Sequence, residues 1–188
     1  RREEYLAAIK ALQESDIQVY GDIVLNHRMG ADECEEVCAR RSAGDDRNRD
    51  VSDPVPITAW TKFTFPGRGG KYSDFQWDWT CFDGVDWDDK RDVTGVYRFE
   101  GKSWDSQVDG ENGNYDYLMG ADLDMSLPKV IDELDRWGRW YLETTGVDGF
   151  RLDAVKHISA AYFTHWLQKL RQESGKPLPA IGEYWHRE

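Results

Sequence analysis

Positive charge is scarce in this chain: 24 Lys and Arg stand against 36 Asp and Glu, a formal net charge of −12 over 188 residues. A protein that grips nucleic acid presents a basic face to the phosphates, so the balance argues against that class and against anionic membrane surfaces. Long apolar runs are also missing: no window reaches the length of a bilayer span, and mean hydropathy is −0.76. Cysteine is sparse, and Cys34, Cys38 and Cys81 are too few and too odd in number for a disulfide framework. Cys34 and Cys38 are left to bond each other, to hold half a metal site, or to stay reduced in a loop. The last is the plainer reading, since no histidine falls at zinc-finger spacing. Arg1-Arg2-Glu3-Glu4 is neither an initiator methionine nor a signal pattern, as expected of a processed chain or a piece of a longer one. What is present suffices for a core. Hydrophobic residues make up 39% and aromatics 13%, in a length that suits one domain or a domain with a subdomain.

Three stretches organise the chain, 1–27, 28–127 and 128–188. Tyr5, Ile9 and Leu12 recur at helical spacing until Ser15-Asp16, and residues 19–25 read as a buried strand running into Asn26-His27. In the last stretch Pro128 opens a helix with Val130, Ile131, Leu134, Trp137 and Tyr141 on one stripe, and a short strand follows over 147–153. A second helix carries Tyr162, Phe163, Trp166, Leu167 and Leu170, stops at Gly175 and Pro177, and precedes a strand over 179–185. Strand, helix, strand at this spacing is a βαβ unit and predicts a parallel sheet. The middle stretch is rich in Asp, Gly, Trp and Tyr, with strand-like runs such as 96–99 and no long helical period. A structureless loop of that length does not suit a compact domain, which points to an inserted subdomain. Within it, Gly67-Arg68-Gly69-Gly70-Lys71 is a turn rather than a phosphate loop, because the Gly spacing is wrong and Tyr72 replaces the Ser/Thr.

Ionisable groups gather where the strands end: Asp22 with Asn26-His27, then Arg151 and Asp153 followed by Lys156-His157, then Glu183. In parallel α/β sheets and barrels, the carboxyl ends of the strands carry the site. Any one of these groups alone is as well read as a satisfied polar group or a structural ion pair. Three strands delivering them to one end are hard to assign to packing. Arg151 and Asp153, two apart, share a strand face, while Phe150, Leu152 and Ala154 take the other. The cation would hold Asp153 ionised, which suits a nucleophile, and the apolar neighbours Tyr184 and Trp185 would raise Glu183 toward a general acid. One ionised and one protonated carboxyl is the arrangement for cleaving a glycosidic bond. In the insertion, Asp83, Asp105, Asp116, Asp122 and Asp124 are hard oxygen donors suited to Ca²⁺, with a solvated acidic surface as the alternative. The run 83–89 is no EF-hand, lacking the sixth-position Gly and the closing Glu. Trp104 and Trp185 are candidates to stack on sugar faces, whereas Trp137, Trp140 and Trp166 sit on helical stripes and read as core.

The motifs GDIVLNH (21–27), GVDGFRLDAVKH (146–157) and GEYW (182–185) resemble the successive strand-end motifs of the α-amylases, a large family of α-glucan-cleaving glycoside hydrolases. FPGRGGKYSDF (65–75), FDGVDWDD (82–89) and ENGNYDYLMGADLD (111–124) resemble the insertion of its calcium-rich liquefying type, so the resemblance runs over practically the whole chain. It implies an α/β fold: a partial (β/α)8 TIM barrel, holding the third to fifth strands, with an inserted β-rich calcium-binding subdomain. It implies Asp153 as catalytic nucleophile and Glu183 as general acid/base, with Arg151 orienting Asp153. Asp22, His27, Arg151, Lys156, His157 and Trp185 are implied at the substrate. Calcium is implied at Asn26, Asp116, Asp122 and the carbonyl of His157. Further calcium or sodium positions are implied at Asp83, Asp105, Asp124 and the carbonyl of Ser103, although Ser126 stands where bacterial relatives tend to carry another carboxylate.

The activity this implies is endo-acting, retaining hydrolysis of α-1,4 bonds in starch-like glucans by a protein monomeric at full length, with neither nucleic acid nor membrane as partner. A third acid usually comes from a later strand, so the 188 residues alone are expected to be poorly stable and inactive. Transglycosylases and debranching relatives use the same scaffold. A non-catalytic calcium- or glycan-binding module is the alternative from another class. Relatives of this type are often secreted, while the odd cysteine number leaves a cytoplasmic member open.

Overall fold

The computed structural model describes residues 1–185. In chain order its elements begin with α1 (Arg2–Gln13), β1 (Tyr20–Ile23), β2 (His27–Arg28), β3 (Glu33–Arg41) and β4 (Val55–Lys62). Then come β5 (Phe82–Asp88), β6 (Val93–Phe99), β7 (Ala121–Leu123), α2 (Pro128–Thr145), β8 (Gly149–Leu152), α3 (Ala160–Ser174) and β9 (Ala180–Gly182). They form two sheets. The first is parallel, in the order β1-β8-β9, with Tyr20 opposite Gly149 and Leu152 opposite Gly182. The second is antiparallel throughout, in the order β2-β7-β5-β6-β3-β4.

The βαβ reading of the termini corresponds to this parallel sheet, with strands shorter than expected. The first ends at Ile23 rather than residue 25 because the chain changes sheets there: His27 pairs with Asp122 of β7. That switch ties the end of β1 to the 28–127 stretch. The second sheet agrees with the β-rich character expected of 28–127, but most of its individual strands carry no sequence signal, for a physical reason. In β3 only Val37 and Ala39 are buried, and the rest of its residues are mainly charged, so it carries no apolar alternation. Its backbone partners, β4 on one side and β6 on the other, come from distant sequence.

Helix boundaries follow local rules. Pro128 stands at the first helical position of α2, and Gly146 ends it in the left-handed region at φ +65°, its N–H donating to the Leu142 carbonyl at 2.8 Å. The Ser159 hydroxyl caps α3 by accepting from the Tyr162 N–H at 3.2 Å. Ile23, Phe150 and Leu152 from the parallel sheet join Val130, Leu134, Trp166 and Leu170 from the helices in one core, continuous with Val37, Ile57, Phe82 and Phe99 of the second sheet. Trp166 and Trp137 pack as expected, but Trp140 lies on the outer face of α2, and on α1 only Ile9 is buried while Tyr5 and Leu12 are exposed. Trp104, expected at a sugar face, is instead buried, its indole N–H donating to the Arg47 carbonyl at 3.0 Å.

α2 and α3 approach closely because Gly138 has no side chain: a Cβ there would lie 2.6 Å from the Trp166 ring, which is fully buried and cannot swing away. Gly138→Ala should therefore destabilise the protein by about 1–3 kcal/mol, read as a lowered denaturant midpoint, despite alanine's better helix propensity. The cysteines are all free. Cys34 and Cys38 are four apart on β3, roughly 13 Å between Cα atoms, too far to bridge. Among the described residues no helix is long and apolar enough to cross a membrane.

Candidate active site

Arg151 is at the centre of the carboxyl ends of the parallel strands. Alternation on β8 buries Phe150 and Leu152 and turns Arg151 and Asp153 the other way. One guanidinium then meets three carboxylates: Nη1 lies 2.6 Å from Asp22 and 2.7 Å from Asp153, and Nη2 lies 2.6 Å from Glu183. Backbone hydrogen bonds fix the central acid and one of its neighbours at the sheet, Asp153 N–H to Ile23 O at 2.9 Å and Glu183 N–H to Leu152 O at 2.8 Å. Immediately after Asp153 the chain turns sharply, with Ala154 in the left-handed region at φ +54°. Such strain in a non-glycine residue is characteristic of functional sites.

Asp153 and Glu183 stand within hydrogen-bonding reach of each other, both held by the same guanidinium. The directions of their pKa shifts are the reverse of the sequence expectation. Burial, and then the Glu183 hydrogen bond, raise Asp153 despite Arg151. Glu183 is held low by hydrogen bonding with the Trp185 side chain, and further by Asp153 and Arg151. Tyr184 and Trp185 are therefore not only apolar walls: the Trp185 indole supplies a donor, and Arg151 forks to both acids.

These acids open on a cleft of about 570 Å³, a size typical of small-ligand sites, bordered by His27, Glu111, Tyr115, Lys156 and Trp185. His27 is half-buried, its Nδ1 has no partner among the described residues, and burial lowers its pKa, which favours a neutral ring. Trp185 is 73% exposed, its ring free to take a flat ligand face. Lys156 is more committed than expected: with a side chain 4% exposed, it bonds Glu111 at 2.6 Å and the Trp185 carbonyl at 2.8 Å. His157 is likewise buried, with Nδ1 2.5 Å from the Tyr115 carbonyl. Both residues join the loop after β8 to the insertion. Glu111, which the sequence reading did not single out, lies in the ENGNYDYLMGADLD motif.

A second cluster lies where β2, β5 and β7 meet. Asp83, Asp116 and Asp122 are buried and each offers an oxygen within 4.8 Å of the others. Among the described residues Asp83 Oδ1 and Asp122 Oδ2 lack hydrogen-bond partners, and Asn26 Nδ2 donates to Asp122 Oδ1 at 3.1 Å. Burial, then repulsion from Asp124 and Asp116, pushes Asp83 up to about 9. Burial also raises Asp116 to about 7, and burial with repulsion from Asp116 and Asp83 raises Asp122. Buried oxygens that repel one another and lack donors suit a hard cation, so the residues fit calcium or sodium. The resemblance had divided Asp83 from Asp116 and Asp122; the fold brings them to one point. Asp124 is spoken for, its oxygens taken by Lys102 at 2.5 Å and by Ser126 at 2.5 Å. Asp105 and Ser103 border a neighbouring cleft of about 530 Å³.

The family model of the alpha-amylase catalytic domain matches residues 2–187. The chain belongs to the alpha-amylase family. An alpha-amylase of Geobacillus stearothermophilus is 54% identical over 184 residues, 97% of this chain and 34% of that protein. One of Bacillus licheniformis is 50% identical over 98% of this chain and 36% of its own length, and the cytoplasmic alpha-amylase of Escherichia coli K12 is 43% identical over 98% and 38%. The chain thus spans about a third of the length of the curated relatives it matches. The crystal structure of an Anoxybacillus alpha-amylase shares its fold, with a TM-score of 0.54 and 16% identity over 98% of this chain and 29% of that one. Alpha-amylases are glycoside hydrolases on a (β/α)8 barrel, to which the β1-β8-β9 sheet and its flanking helices correspond.

Proposed function

We propose that the protein carrying this chain hydrolyses α-1,4-glucosidic bonds of starch-like glucans with retention, Asp153 being the nucleophile and Glu183 the general acid/base. The observation that carries the reading is the single Arg151 guanidinium joining the acids at the ends of two adjacent parallel strands. A sugar ring entering between Asp153 and Glu183 parts their hydrogen bond. Asp153 then loses the contact that raises it and keeps Arg151 Nη1, which favours the ionised nucleophile. Glu183, turning from the Trp185 indole and Arg151 toward the glycosidic oxygen, loses the contacts that hold it low and becomes the better acid. Glu183 protonates the leaving oxygen as Asp153 attacks the anomeric carbon, and Glu183 then takes a proton from the water that releases the sugar. His27 and Trp185 serve as substrate contacts on the cleft wall. Asp22 acts through Arg151, and Lys156 and His157 hold the cleft's border in place.

Asp83, Asp116 and Asp122, with Asn26 bonded to Asp122, are the residues that would hold calcium, and the resemblance adds the carbonyl of His157. Bound there, calcium supplies charge neutralisation and a clamp between the insertion and the strand ends. NMR of the freshly released reducing end tests the mechanism. Retention gives the α-anomer first, whereas first appearance of the β-anomer would mean inversion and remove Asp153 as nucleophile.

A further inference from the structure

A cleft of about 480 Å³ on the flank of α2 shares no residue with the proposed active site. Its walls are aromatic. Tyr72, 64% exposed on the 65–75 loop, faces Trp140, 38% exposed on α2, with ring centroids 5.5 Å apart and planes at 65°. Trp137, stacked on Tyr141 at 5.3 Å, lines it as well. Polar groups are fixed along its edge: Arg136 is anchored on Glu133 and donates to the Ser73 hydroxyl at 2.7 Å. Tyr72 adopts φ +68°, a costly backbone state for a bulky residue, and its hydroxyl is met by Arg2 at 3.4 Å. The neighbouring helices α1 and α3 are both in place beside α2, Tyr5 against Tyr141 and Trp166 against Gly138, yet the cleft stays open.

We infer that this cleft is a second glucan-binding site, a non-catalytic platform that holds a segment of the polymer away from the site of cleavage. The inference rests on the proposed function for the identity of the sugar. Aromatic faces stack on the C–H faces of pyranose rings, and an immobilised Arg–Glu pair can bond vicinal hydroxyls. Two rings inclined at 65° suit the curved path of an α-1,4-glucan, whose successive sugars turn relative to one another, better than a flat ribbon. The net charge of −12 also favours a neutral ligand over an anionic one. α2 runs back from the carboxyl ends of the strands to the start of β8, so residues 133–140 lie down its flank and the sugars held there are not the ones being cut.

The test uses the full-length protein with Trp140→Ala, Tyr72→Ala and Trp140→Tyr, each also placed on a Glu183→Gln background. Adsorption to granular starch and turnover of a short soluble maltooligosaccharide are measured side by side. Each alanine variant should adsorb about tenfold more weakly. Turnover of the short substrate should be unchanged, and Trp140→Tyr should retain most of the adsorption. Unchanged adsorption in both alanine variants overturns the inference. So does an equal fall in short-substrate turnover, which would place the effect at the active site, or a lowered melting temperature with adsorption intact, which would mean that another segment of the protein covers the cleft. If the wild-type protein cleaves no glucan, the proposed function fails separately, and adsorption on the Glu183→Gln background still decides this one.

Discussion

Asp153→Asn and Glu183→Gln should each lower turnover of an α-glucan by on the order of 10⁴–10⁶-fold in the full-length protein, and the double variant should be no worse than the weaker single. Non-additivity is the informative part. If the two acids act as a unit held by one guanidinium, removing either disables both. Arg151→Lys sharpens the test, because an ammonium keeps the charge but cannot fork from Asp153 to Glu183. Stability should change little. The protein environment already disfavours the charge on Asp153, and Glu183 is a partly exposed ion-pair partner whose loss costs little. Thermal melts therefore separate lost chemistry from lost folding. A single variant within tenfold of wild type would remove that residue from the reaction.

Chelation should be the largest perturbation of stability, with a pH dependence of known sign. Without a cation, Asp83 in the folded protein takes up its proton at about 9 rather than 3.8, and Asp116 at about 7. The folded state then binds more protons than the unfolded state between those values, so chelated protein should lose stability as pH rises from 3.8 toward about 9. A bound divalent ion replaces the protons, and at a hundred times its Kd adds about 2.7 kcal/mol. The gap between calcium-loaded and chelated melting temperatures should thus widen with pH. Asp122→Asn should close most of that gap, because it removes a buried carboxylate from the cluster. A gap that is absent, or that narrows with rising pH, would leave the three acids without a metal.

The parts of this protein legible in the sequence are those governed by local rules. Period-3.6 stripes, Pro128 and Gly175 marked the two long helices, and the Arg151–Asp153 spacing placed both side chains on one strand face. What was misread depends on neighbours. Trp104 and Trp140 exchanged their expected places, interior for surface, because periodicity assigns a face without saying what packs on it. β3 was invisible because its stability comes from ladders to β4 and β6 rather than from an apolar pattern of its own.

By itself, then, the sequence determined that ionisable residues gather at the ends of the parallel strands. Only the tertiary structure decided their electrostatics. Whether Asp153 or Glu183 holds a proton depends on a shared hydrogen bond, a forked guanidinium and an indole donor, contacts made between separate strands and loops. Likewise Asp83, Asp116 and Asp122 converge only after β5 and β7 pair, and the repulsion that calls for a cation arises from that burial, since in water the same three acids would ionise independently.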